Sequence, residues 1–301
     1  MTTAALAAPQ AALARPHPWL DRELYPFTPR RFATADGALS YLDDGPADAP
    51  VVLLVHGTPS WSFEWREVVR GLSKDHRVIA PDHLGFGLSD RVTDASKLTP
   101  EAHAKRLVAL ADALELRDVR LVLHDFGGPI GMLLALERPE RVRSIAVMNT
   151  WAWAHAEDPK IGRMSRLVGS WLGRWLYLSL NASARWIVPM AFGDKKKLTP
   201  RIHGQYLAPF GTREERVAPW VMGVELAGSD PYYASLWARR ALLSEKLCAI
   251  VWGMADPAFD RRYLARWRES FPKARLTEIE GAGHFPQEEA PERVVEALRA
   301  L

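Results

Sequence analysis

The stretch from Val119 to Met132, VRLVLHDFGGPIGM, constrains the fold more than any other. Its apolar run Leu121-Val122-Leu123 stops at His124-Asp125-Phe126-Gly127-Gly128, and a helix-compatible segment, Pro129 to Glu137, follows at once. That pattern predicts a strand, a sharp turn and a helix. A turn this tight needs residues without bulk behind the exposed one, which Gly127 and Gly128 supply. Its apex residue stands proud of the sheet, beside the positive end of the next helix. No G-x-S-x-G pentapeptide occurs in the chain. The apex is instead a carboxylate, Asp125, which reads either as a nucleophile or as an ordinary helix N-cap.

The 301 residues are 48% hydrophobic and 25% charged, enough for one large α/β core plus an insertion. The net charge is +3, but the basic residues are scattered and the densest run is only Lys195-Lys196-Lys197, so there is no nucleic-acid footprint. The single cysteine, Cys248, lies in an apolar run and is expected in the core, with no disulfide within the chain, which fits a cytoplasmic protein. Residues 1–16 are alanine-rich with no positive charge before Arg15; they read as a disordered tail and not as a secretory signal. No run is long enough to span a membrane, and no membrane partner is expected. Twelve tryptophans, several between Trp151 and Trp237, suggest a region that encloses something apolar.

Arg31 to Asp43 predicts two short strands around Ala35-Asp36-Gly37. Val51 to Val55 is an unalternating β-branched run of the kind buried on both faces of a parallel sheet. A helix over Ser62 to Leu72, a strand over Arg77 to Pro81, a helix capped by Thr99 and running to about Leu116, and a strand over Arg143 to Asn149 follow. The glycine-rich loop from Asp82 to Asp90 lacks G-x-G-x-x-G and reads poorly as a dinucleotide site. From Thr150 to Ala234 strand-like runs disappear, and stretches such as Arg163 to Leu180 are helical. Alternation then resumes with Leu247 to Trp252, a helix near Arg261 to Ser270, a strand over Arg275 to Glu280 and a closing helix from Pro291. The expected architecture is an α/β-hydrolase fold: a doubly wound, mostly parallel sheet built from residues 17–149 and 235–301, with a helical cap at 150–234 inserted after the sixth strand.

Three residues fall at strand ends in the order nucleophile, acid, base: Asp125, then Asp256 in VWGMADPAF, then His284 in GAGHFPQEE. Singly, Asp256 could merely open a turn before Pro257, and His284 could be structural; together with the apex carboxylate they form a triad. An aspartate, with an ordinary pKa of about 3.9, is already anionic and needs no base to attack. It would attack a carbon to form an ester, which His284 would clear by deprotonating a water, with Asp256 orienting the imidazole. The backbone amides of Thr58 and Phe126 are the expected oxyanion donors. No His, Cys and carboxylate cluster has metal-ligand spacing, so no metal and no organic cofactor are expected.

HGTPSWSFEWR, PDHLGFGLSD, LHDFGGPIGM, WGMADPAF and GAGHFPQEEAPE, in this order, resemble the haloalkane dehalogenases from about Trp19 to Leu301. The resemblance implies hydrolysis of a carbon-halogen bond in an apolar small molecule, using water, by a monomer or homodimer. Two positions depart from it. Family members hold the leaving halide with a tryptophan after the nucleophile and a second donor, often asparagine in H-G-x-P; here these are Phe126 and Thr58. Trp151 and Trp153, at the entrance to the cap, are candidate substitute donors, although packing within the cap is the simpler role for both. The alternatives are an epoxide hydrolase drawing on Tyr177, Tyr206, Tyr232 or Tyr233 to protonate the ring oxygen, a β-lactone-cleaving enzyme, and a ligand-binding relative that has lost the chemistry.

Overall fold

The computed structural model describes residues 17–155 and 158–301; the expected tail at 1–16 lies outside the described residues. Eight strands form one sheet in the order β1-β2-β4-β3-β5-β6-β7-β8. They are β1 Arg30–Thr34, β2 Gly37–Asp44, β3 Val51–Val55, β4 Arg77–Pro81, β5 Val119–Asp125, β6 Val142–Thr150, β7 Leu247–Gly253 and β8 Arg275–Ile279. The pairs β1/β2 and β2/β4 are antiparallel, and every later pair is parallel. Successive side chains of a strand point to opposite faces, so the unbroken apolar runs feed two cores at once. Leu53 and Val55 of β3 join Leu121 and Leu123 of β5 in one core, while Val52 and Leu54 join Val122 in the other.

The helices that cover the sheet are α1 Arg66–Leu72, α2 Pro100–Ala113 and α3 Gly127–Glu137. Thr99 caps α2 by accepting from the Ala102 amide, with Pro100 in the first helical position. Among the described residues six more α-helices lie between β6 and β7: α4 Pro159–Gly169, α5 Trp171–Leu180, α6 Val188–Ala191, α7 Pro200–Leu207, α8 Val217–Gly228 and α9 Asp230–Ala238. The chain closes with α10 Arg261–Ser270, α11 Pro286–Glu289 and α12 Pro291–Arg299.

Three expectations are corrected. The helix expected over Ser62 to Leu72 begins as a 3-10 turn, Ser62–Trp65, before α1. The helical stretch Arg163 to Leu180 is two helices, because Ser170 is extended (φ −68°, ψ 163°) and its hydroxyl caps α5 by accepting from the Gly173 amide. Cys248 is exposed, not in the core. The β6/β7 register passes from Ile145 opposite Leu247 to Ala146 opposite Ala249, so Cys248 is the extra residue of an irregularity and turns outward.

Candidate active site

Asp125 is the last residue of β5, and its φ of 51° places it in the left-handed region. A carboxylate residue there is strained backbone, held by its surroundings. The Thr150 hydroxyl donates to the Asp125 carbonyl, and α3 starts two residues later. The close approach has no room for bulk: a Cβ on Gly57 would lie 2.2 Å from Asp125 Oδ1, and one on Gly127 would lie 2.2 Å from the Val55 carbonyl oxygen. The turn therefore requires glycine on both sides of the carboxylate. Asp125 Oδ1 accepts from the Thr58 amide at 2.8 Å, while Oδ2 lies 3.4 Å from His284 Nε2.

The other nitrogen of that imidazole, Nδ1, is 2.8 Å from Asp256 Oδ2. Asp256 sits in the loop after β7 and is fully engaged: its Oδ1 accepts from the Ala258 and Phe259 amides at 2.7 and 3.1 Å, and its Oδ2 accepts from Asn149 Nδ2 at 2.8 Å. Asn149, fully buried at the end of β6, also clamps Gly253, donating to its carbonyl and accepting from its amide. Burial pushes the Asp256 carboxyl up, but the adjacent imidazole, the amides and Asn149 outweigh it and hold it below the ordinary value. Burial likewise works against a charged His284, yet the carboxylates of Asp256 and Asp125 prevail and hold its pKa up at about 10.

A second buried histidine ties the Asp125 turn to the His284 loop. His124, immediately before Asp125, donates from Nε2 to the His284 carbonyl at 2.7 Å, and its Nδ1 faces Glu64 Oε1 at 3.0 Å and Gln287 Nε2 at 3.2 Å. The His284 amide in turn donates to the Ala191 carbonyl at the end of α6, so the cap touches the His284 backbone directly.

Between the triad and the cap lies a cavity of about 170 Å³. Thr58, Asp125, Phe126 and His284 line its floor, with Phe259 and Phe285 beside them. The cap side is apolar, with Ile161, Met164, Val168, Val188 and Leu226, apart from the hydroxyls of Tyr177 and Ser183. The Thr58 hydroxyl is buried with no hydrogen-bond partner. Phe126 presents its ring to the cavity and packs edge-on against Trp151, centroids 4.7 Å apart.

Neither candidate tryptophan lines this cavity. Trp151 is packed behind the wall, against Phe126 and Phe259, and its indole nitrogen has no hydrogen-bond partner. Trp153 packs against Trp237, Tyr263 and Trp267 and lines a different cleft with Arg262 and Arg266. Of the four tyrosines considered for ring-oxygen protonation, only Tyr177 reaches the cavity. The others are committed elsewhere: Tyr206 donates to Glu288, Tyr232 to the Pro129 carbonyl and Tyr233 to the Glu225 carbonyl. Asn149, His124, Glu64 and Ser183 were not identifiable as site residues from the sequence; Asn149 alone carried a signal, as the last polar residue of a predicted buried strand. Among the described residues, no group of three or more His, Cys, Asp and Glu side chains is placed to hold a metal ion.

Residues 50–291 match the model of the alpha/beta hydrolase fold family. The chain is 34% identical over 281 residues to "Haloalkane dehalogenase 2" of Mycobacterium tuberculosis, covering 92% of this chain and 96% of that protein. It is 31% identical over 294 residues to "Cis-3-alkyl-4-alkyloxetan-2-one decarboxylase" of Xanthomonas campestris pv. campestris, again covering 92% and 96%. Among solved structures, a loop variant of the haloalkane dehalogenase DbeA from Bradyrhizobium elkanii superposes with a TM-score of 0.79 at 25% identity, covering 90% of this chain and 94% of that one.

Proposed function

The chain belongs to the α/β-hydrolase fold family, in its haloalkane dehalogenase-like branch, and from that premise we propose that it works by covalent catalysis on Asp125. Asp125 Oδ2 attacks an sp³ carbon of an apolar substrate, the carbon-halogen bond breaks, and the halide leaves with the bonding electrons. The product is an ester whose carbonyl oxygen is Oδ1, already held by the Thr58 amide where the later oxyanion develops.

The observation that carries the reading is His284 between two carboxylates. In the free enzyme both carboxylates favour its charged form. Esterification removes the charge of Asp125, so the imidazole loses one of its two anionic partners and its proton affinity falls. The imidazole proton then passes to solvent, and the neutral base is available at the step that needs it. Neutral His284 then takes a proton from a water that attacks the ester carbonyl carbon, and Asp256 stabilises the imidazolium that forms.

A second reading is favoured by the floor of the cavity. Phe126 and Thr58 supply no indole or amide side chain to a departing halide. An oxetan-2-one opened at its sp³ ring carbon keeps its carboxylate tethered to the skeleton, so no free anion has to be held. The Xanthomonas relative, named for such a substrate, supports that reading. Opening an epoxide has less support, since one tyrosine reaches the cavity. Loss of activity is opposed by the intact hydrogen-bonded triad.

The test is the intact mass of His284→Phe after incubation with bromoalkanes, epoxides and β-lactones. With water activation disabled, the substrate skeleton is expected to remain as an ester, absent in the double variant that also carries Asp125→Asn. An alkyl adduct from a bromoalkane supports dehalogenation; one from lactones alone moves the substrate class. No adduct from a folded protein counts against the covalent route.

A further inference from the structure

Nine large apolar side chains stand exposed among the described residues, and eight of them lie between Met164 and Met190. Trp171 is 82% exposed, Met190 68%, Leu167 57% and Trp175 47%. Scattered exposed apolar groups need no explanation, but concentration on one segment does. Residues 159–193, which include that segment, carry Lys160, Arg163, Arg166, Arg174 and Arg185, all exposed, and no acidic residue. On α4 Met164 and Leu167 stand three positions apart, and on α5 Trp171 and Trp175 stand four apart, so each helix exposes an apolar pair on one face with arginines adjacent in sequence.

The segment also frames the entrance to the site. Met164 and Ile187 line the Asp125 cavity and are themselves 45% and 42% exposed. The cavity therefore opens within the apolar patch. A second copy of the chain is a poor occupant, since a two-fold contact would bring five cations against five identical ones. A surface that is apolar inside and negative at its rim satisfies both halves of the pattern: indoles and aliphatic chains enter the headgroup and acyl boundary, and arginines stay on the phosphates.

We propose that the α4–α6 face of the cap seats on an anionic lipid bilayer, with the cavity mouth turned toward the acyl chains. This runs against the sequence expectation of no membrane partner, which addressed spanning segments; no helix among the described residues is long and apolar enough to cross a membrane, and a peripheral contact needs none. An apolar substrate would then enter from the lipid phase, a corollary that rests on the hydrolase reading. The docking itself does not.

The experiment is sedimentation of the full chain with phosphatidylcholine vesicles, with and without about one third phosphatidylglycerol. Binding is expected to the anionic vesicles and to be released by salt. Arg163→Gln combined with Arg166→Gln weakens it about 25-fold, from about fivefold per surface charge, and Trp171→Ser combined with Trp175→Ser by at least about tenfold. Leu242→Ser, exposed but outside the patch, binds as the parent. Far-UV circular dichroism shows that the variants are folded. No sedimentation, equal partition to neutral and anionic vesicles, unchanged binding by both paired variants, or a dimer that the tryptophan variant dissolves while vesicles stay unbound would each overturn the proposal. Adduct formation in His284→Phe is read in free solution, so failure of the hydrolase reading leaves the vesicle result standing.

Discussion

The two walls of the cavity are built on opposite principles. On the sheet side, each triad member is fixed by several partners: Asp256 accepts from two amides, Asn149 and His284, and Asp125 stands on a strained turn with its Oδ1 on the Thr58 amide. On the cap side, aliphatic side chains from α4, α6 and α8 close the space with only Tyr177 and Ser183 to offer hydrogen bonds. The difference separates two tasks. Under the proposed function the sheet wall would set which bond is broken, and the cap wall which molecule arrives.

The largest test of that division is Asp125→Asn. Turnover of any substrate is expected to fall by at least about ten-thousandfold, while ligand affinity, measured by equilibrium dialysis, stays within a few-fold because the cap wall is untouched. A comparable loss of affinity would break the division. Next is Thr58→Val, which keeps shape and backbone amide but removes the one unpartnered hydroxyl on the floor. If that hydroxyl holds the departing group, single-turnover alkylation slows by about 100-fold with an unchanged ester-hydrolysis rate; equal slowing of both steps would assign it to general packing.

Asn149→Ala leaves the Gly253 amide and Asp256 short of a partner, and is expected to cost about 1–3 kcal/mol in urea unfolding. The pH dependence of stability is signed. His284 has a folded pKa of about 10, above the ordinary imidazole value of 6.5, so the native state holds a proton that the unfolded chain has released between those values. Its contribution is complete below about pH 6.5 and is lost as pH rises toward 10. Removing one carboxylate with Asp125→Asn should flatten that decline in denaturant titrations; an identical slope would mean that Asp125 does not hold the proton. The smallest effect is expected from Met164→Ala, a half-exposed residue of the cap wall, as a few-fold change in KM with kcat preserved.

The same contrast governs what could be read from the sequence. The sheet wall was legible because β3, β5, β6 and β7 are buried on both faces and must be nearly continuous apolar runs, and because Asp125, Asp256 and His284 sit just where those or the next strand end. Local chemistry and position coincide there. In the cap they do not. Which of Tyr177, Tyr206, Tyr232 and Tyr233 faces the cavity depends on how helices from distant parts of the chain dock, and no local pattern encodes it. Cys248 was misplaced for a related reason, since its exposure follows from a register shift against β6. Asn149 escaped notice because its partner lies 107 residues away.

His124 joins the turn bearing Asp125 to the loop bearing His284 through its bond to the His284 carbonyl. Under the proposed mechanism one strut would thus serve two consecutive chemical events. A change at Tyr177, on the cap side of the cavity, leaves that strut in place, whereas under the proposed mechanism a change at position 124 is expected to move attack and deacylation together. A redesign meant to trap an intermediate without slowing its formation would therefore have to leave His124 in place.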